Sequence, residues 1–186
     1  MTFNKVVFDI ETTMTADKIW CIVCKHGDTY YQFKEDRLHR FAELIKQTDE
    51  VIGHNIIGFD IPVVNKIFGY DVFTNCKVTD TLVLSRLLNP MIEGGHSLKN
   101  WGTKLGQNKI HFEQFDYFSE DMLTYCRNDV ELTERLYKFL MKKTTNFGQS
   151  IELEHRVAQI IQKQHERGFK INVVEAYELQ AKFQED

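Results

Sequence analysis

The sequence predicts an α/β domain: a mixed five-stranded sheet, its first three strands antiparallel, flanked by helices. Three patterns carry this expectation. Residues 5–12 read as a strand, with two acids set two positions apart among apolar residues. Residues 18–25 and 29–34, both rich in β-branched and aromatic side chains, flank the turn His26-Gly27-Asp28, a hairpin signal. Beyond residue 35, apolar residues at helical spacing alternate with short strand-like runs, as in sheets whose strands are linked by helices.

In the first strand, a period of two puts Asp9 and Glu11 side by side on one face. Two carboxylates a few ångströms apart in an apolar strand repel each other and lose hydration, so the pair persists with a cation or a shared proton. A metal site resolves this naturally. A strand end whose acids reach water also accounts for an isolated Asp-x-Glu.

The helical pattern over residues 36–46 places Leu38, Phe41, Leu44 and Ile45 on one side and crosses over to a fourth strand, residues 51–55. That strand ends in His54-Asn55 and runs into Asp60 and Pro62, where Pro62 suits the first turn of a helix and Asp60 an N-cap. A strand, a polar loop and a helix start in that order also form the place where α/β sheets present ligands. A fifth strand is expected around residues 76–79, followed by a helix capped by Asp80 and stopped by Asn89-Pro90. Ser97 opens a helix over residues 98–105 that Gly106 ends, and a loop with His111, Phe112, Phe115 and Tyr117 follows. Ser119-Glu120-Asp121 starts a long helix reaching about residue 141, with Tyr125 and Asp129 four apart on one face. Residues 144–150 have turn composition and mark a boundary between residues 1–147 and 148–186. An amphipathic helix over 151–165, a stop at Gly168, a short strand over 169–171 and a last helix capped by Asn172 complete the chain.

Composition sets bounds on function. With 186 residues, 42% of them hydrophobic, the chain suits one domain with a small addition. The two prolines, ten glycines and absence of low-complexity tracts argue against a long disordered linker or a repeat array. No stretch approaches the length of a membrane span and the first twenty residues do not form a signal peptide, so the expected setting is the cytoplasm, with no membrane partner. Cys21 and Cys24 form a C-x-x-C, but a strand sends them to opposite faces and Cys76 and Cys126 supply no second pair, which favours reduced core thiols over zinc or redox chemistry. The net charge of −4 excludes little, because acids gathered around metal ions leave the basic residues to meet phosphate.

With Asp9-Ile10-Glu11-Thr12, His54-Asn55-Ile56-Ile57-Gly58-Phe59-Asp60 and Tyr125-Cys126-Arg127-Asn128-Asp129 in this order, the sequence resembles the DEDD 3′→5′ exonucleases whose last motif carries tyrosine. It is most similar to the proofreading domain of family A DNA polymerases of short-tailed bacteriophages, through residues 80–87 and 98–106 as well. Residues 151–156 and 164–172 resemble the segment that opens the polymerase portion. The resemblance implies a ribonuclease H-like exonuclease domain over residues 1–147 and, over 148–186, the helical start of a truncated or split polymerase portion. The chain ends before polymerase carboxylates could appear, so polymerisation is not expected of it.

The resemblance further implies two divalent ions, Mg2+ or Mn2+, matching four hard carboxylate ligands. Asp9 is expected to bridge both ions, Glu11 and Asp129 to complete the water-activating site, and Asp60 to hold the second ion. Tyr125 is expected to orient the attacking water. Thr12 and Asn55 are candidates for contact with the terminal nucleotide of a single-stranded DNA 3′ end, Asn55 equally for fixing its own loop. His54 reads as structural and Asp80 as a cap or supporting acid. Lys104, Lys109 and Arg127 are candidates for phosphate contact, with solvated surface charge the alternative for the two lysines. The polymerase portion, in the same or a separate chain, is the other expected partner. The competing functions are a stand-alone ribonuclease D-like RNA exonuclease and a non-catalytic DNA-binding module of a split polymerase.

Overall fold

The computed structural model describes residues 3–144 and 146–185. Five strands form one sheet in the order β3-β2-β1-β4-β5, where β1 is Phe3–Thr12, β2 Ile19–His26, β3 Thr29–Lys34, β4 Thr48–Gly53 and β5 Lys77–Asp80. The first three are antiparallel, and β4 and β5 join parallel to β1. Gly27, at φ +58°, closes the two-residue turn between β2 and β3, where a positive φ matches the twist of the strands. Parallel pairing requires a crossover. A 3-10 turn (Glu35–Arg37) and α1 (Leu38–Ile45) supply the first, and α2 (Asp60–Phe68) the second. The mixed sheet is the one expected, and the fifth strand extends to Asp80.

Alternation along β1 divides the core into two layers. Val6, Phe8 and Ile10 join Phe41, Val64 and Phe73 under α1 and α2, with the Phe8 and Phe73 rings stacked at 5.5 Å. Val7 faces the other side, where α3 (Thr81–Leu88), α4 (Leu98–Leu105) and the long α5 (Glu120–Lys143) cover the sheet. Leu132, Leu136 and Leu140, one turn apart on α5, are fully buried, each worth roughly 1.5–3 kcal/mol relative to exposure. Cys21 lies in this layer and Cys24 in the opposite one, as strand alternation requires, and all four cysteines are free thiols.

Beyond α5, the described part of the expected turn leads to α6 (Gly148–Arg167), which begins three residues earlier than expected; Thr145 lies outside the described residues. Among the described residues, 169–171 pairs with no strand. Its alternating Phe169-Lys170-Ile171 fits a strand locally, but both apolar side chains are exposed and no sheet edge meets them. Asn172 Oδ1 meets the Glu175 N–H at 3.5 Å at the start of α7 (Val173–Glu185), whose Val174, Tyr177 and Phe183 are exposed. No helix among the described residues is long and apolar enough to cross a membrane.

Candidate active site

Asp9 and Glu11 share the face of β1 that looks toward α5, the face that Val7 buries. Opposite Glu11 on β2 stands Cys21, and from α5 comes Cys126, whose Sγ lies 3.4 Å from the Asp9 carbonyl oxygen and 3.6 Å from Asp9 Oδ2. Ligand atoms of Asp9, Glu11 and Cys126 all lie within 4.8 Å of one another. Cys126 was not singled out as a site residue from the sequence. Its signal is its spacing, three residues before Asp129 on the same helix face.

The other two acids arrive from opposite sides. Asp60 is the first residue of α2 rather than its cap, since Phe59 occupies the N-cap without a side-chain bond. The capping alternative for Asp60 is therefore not realised. Its carboxyl is buried, and Oδ1 has no hydrogen-bond partner. Asp129 projects from α5, likewise buried with an unpartnered Oδ1, while its Oδ2 accepts Lys109 Nζ at 2.6 Å. Tyr125, one turn earlier, stacks on Phe112 at 5.3 Å and meets Phe115 edge-on, and Lys109 Nζ lies 4.7 Å from its ring centroid. The aromatic loop thus packs against Tyr125 through Phe112 and Phe115, whereas Tyr117 stays exposed.

Four crowded carboxylates, three buried and Asp9 half-buried, shift one another's proton affinity. Burial, then the charges of Asp60, Glu11 and Asp129, hold Asp9 well above the usual carboxylate range against the pull of Lys109. Burial pushes Glu11 up to about 9, with Cys21 and Asp129 adding to it. Asp60 rises to about 7, again chiefly through burial, opposed by its own and the Ile10 backbone N–H. Burial also raises Asp129, while Lys109 and Tyr125 pull it down. Burial raises the Tyr125 hydroxyl to about 12, so it stays protonated at neutral pH. Two buried, unpartnered carboxylate oxygens beside a surplus of acid are the donor set that a hard divalent cation fits.

The neighbouring residues divide by role. Asp80 is a helix cap and loop organiser: it accepts from the N–H groups of Asn55 at 2.8 Å, Ile57 at 3.0 Å and Leu82 at 2.9 Å. Asn55, at φ +64°, is exposed at the tip of the loop that leads to Asp60. Its backbone fixes the loop and its side chain faces outward over Gly58. Thr12 ends β1 just after a register shift, buried, with Oγ1 donating to the Thr13 carbonyl. His54 is structural, its Nδ1 2.8 Å from Thr81 Oγ1, and burial lowers it to about 4. Lys104 is exposed, and Arg127 lies over the Tyr30 ring at 4.0 Å and near Glu131. Of the three basic residues weighed from the sequence, Lys109 is the one joined to the acids.

Among solved structures, the chain superposes on Brucella melitensis NrnC with bound Mg2+ (TM-score 0.61, 22% identity, 87% of this chain and 81% of that one). It also superposes on the Aedes aegypti Nibbler EXO domain (TM-score 0.64, 15% identity, 81% and 85%). The likeness is one of fold, a ribonuclease H-like mixed five-stranded sheet flanked by helices. In sequence, the chain is 23% identical over 247 residues to the DNA-directed DNA polymerase of Enterobacteria phage T3, covering 94% of this chain and 34% of the polymerase. It is 24% identical over 189 residues to that of Escherichia phage T7, covering 69% and 27%. The chain spans about a third of the length of the curated relatives it matches. No protein-family model matches it. The sequence matches agree with the expected resemblance to phage DNA polymerases, and the structural matches with the expected fold.

Proposed function

We propose that the chain is a metal-dependent 3′→5′ exonuclease that shortens single-stranded or frayed DNA 3′ ends, a proofreading module for phage-type DNA replication in the host cytoplasm. The observation that carries this reading is the gathering of Asp9, Glu11, Asp60 and Asp129 around two unpartnered buried oxygens, with Tyr125 one turn before Asp129. Similarity to phage DNA polymerases supports DNA as the substrate.

In this reading the four carboxylates hold two divalent ions, Mg2+ or Mn2+. Such ions would supply Lewis-acid chemistry there, polarising the phosphodiester and acidifying a bound water. Asp9 would be shared between the ions, Glu11 and Asp129 would hold the one that activates water, and Asp60 would hold the other. The protonated Tyr125 hydroxyl, its ring held by Phe112, hydrogen-bonds and orients the attacking water. Thr12 and Asn55 meet the terminal nucleotide. Residues 148–186 form the start of a polymerase portion, whose remainder stands in the same or a separate chain and covers exposed apolar residues such as Val174, Tyr177 and Phe183.

Matched DNA and RNA strands with 3′ tails, digested side by side at saturating Mg2+ or Mn2+, test the substrate. Faster shortening of DNA supports proofreading. Faster shortening of RNA would assign the chain to ribonuclease D-like RNA processing instead.

A further inference from the structure

We propose that Lys109 is the phosphate-contacting cation of this site, released from Asp129 to pair with the phosphodiester at the substrate's 3′ end. The inference rests on the metal-site reading of the four carboxylates.

Charge balance leads to it. Four carboxylates and two divalent ions neutralise each other, which leaves the Lys109 ammonium as surplus positive charge at the same place. A phosphodiester brings the single negative charge that matches it. The ammonium is held at 2.6 Å by Asp129 Oδ2, a bond whose strength comes from the negative charge that metal ions would cancel. Its side chain is 25% exposed, so Lys109 runs between solvent and the acids.

Placement on the chain agrees. Lys109 belongs to no helix or strand, yet the loop around it is anchored. The Gln107 N–H donates to the Gly102 carbonyl at 2.9 Å and the Ile110 N–H to Asn128 Oδ1 at 3.3 Å. The backbone is thereby fixed within reach of the cluster, while a four-carbon stem lets the charge move between partners. Nζ also lies 4.7 Å from the centroid of Tyr125, the residue assigned to the attacking water, so a phosphate held by Lys109 is held next to that water.

The competing role for Lys109 is to anchor Asp129 alone, and the two roles differ in what a neutral replacement does. The test is equilibrium binding of a fluorescent single-stranded DNA in Ca2+ across a salt series, with wild type, K109M and K109R, alongside Mn2+ titrations followed by thermal unfolding. If Lys109 contacts phosphate, K109M binds the strand roughly tenfold more weakly at low salt. Its plot of log affinity against log salt also flattens by about 0.7, the contribution of one contact to a single strand. K109R retains the wild-type slope, and the Mn2+ midpoint of K109M is no weaker than wild type. An unchanged salt slope overturns the proposal, and so does a Mn2+ midpoint weakened by about 10- to 100-fold, the mark of a ligand-orienting partner. K109Q serves in the same assays if K109M does not fold. Failure of the wild-type protein to bind Mn2+ saturably would instead remove the metal-site reading beneath it.

Discussion

The His155 side chain, on α6, accepts the backbone N–H of Asp80 at 2.8 Å. Its other ring nitrogen lies 2.7 Å from the Ile151 carbonyl, which fixes the hydrogen on Nδ1 and leaves Nε2 as the acceptor. His155 thereby ties α6 to the point where β5 ends and α3 begins. From that point the Asp80 carboxylate reaches back to the loop that carries Asn55 toward Asp60, so α6 supports the candidate site from behind.

Asp80→Asn tests this support. Both carboxylate oxygens accept backbone N–H groups, and an amide has one oxygen, so the buried Ile57 N–H is left facing an NH2 group. The expected cost is roughly 1–3 kcal/mol in urea denaturation, with activity lowered through displacement of the loop. A change below about 0.5 kcal/mol would contradict the organising role.

Asp9→Asn removes one charge from the enclosed cluster while keeping its shape. Cleavage should fall by at least about a thousandfold, because several kcal/mol of metal-dependent stabilisation is lost. Without metal the variant should unfold at the wild-type temperature or above it, since a half-buried carboxylate crowded by the charges of three others is gone. A folded variant with full activity would rule out the carboxylate's role.

Much of this was legible in the sequence, for identifiable reasons. A period of two in residues 5–12 fixes both the strand and the common face of Asp9 and Glu11, and Tyr125 and Asp129 share a face because a helix brings residues four apart together. What was not legible depends on tertiary packing. Nothing local distinguishes Lys109 from solvated Lys104; the fold of the 106–118 loop brings one to Asp129 and leaves the other in water. The pattern at 169–171 suits a strand, but a strand exists through its neighbour, and none among the described residues pairs with it. Asp60 looked like a cap because caps are acidic and precede helices, and a one-residue shift of the helix start made it a buried orphan instead.

Tyr125→Phe isolates the hydroxyl. The ring keeps its stack on Phe112, so stability should change little. Turnover should fall by about tenfold to a hundredfold with DNA affinity nearly unchanged, as for a group that acts on the attacking water. Single-turnover rates beside equilibrium binding separate the two, and an unchanged rate would reject the role.

Asn55→Gly separates substrate contact from backbone conformation. Glycine accepts φ +64° freely, so the fold should hold to within about 0.5 kcal/mol, while alanine at the same position should cost about 1 kcal/mol or more. Weaker binding of a single-stranded 3′ tail by the glycine variant is the expected sign of a nucleotide contact. Equal binding by wild type and variant would leave Asn55 a loop residue.

Metal affinity should rise with pH. Asp60 holds its proton up to about 7 and Glu11 up to about 9, so a cation must displace protons to bind. Between pH 6 and 8 the Mn2+ midpoint should fall roughly tenfold or more. Without metal the sign for stability is opposite: the folded chain binds more protons than the unfolded one. Stability is therefore fully present below the ordinary carboxyl values of 3.8 and 4.5 and declines as pH rises toward about 7 and 9. Thermal unfolding in chelator across this range measures the decline, and a flat profile would contradict it.

The most direct test is digestion of a 5′-labelled DNA with a single-stranded 3′ tail, in Mg2+, in Mn2+ and in chelator. The expected result is a ladder that shortens one nucleotide at a time from the 3′ end with either metal and is absent in chelator. Cleavage that persists in chelator, internal cuts, or an intact strand in the presence of folded, metal-saturated protein would contradict a metal-dependent 3′→5′ exonuclease.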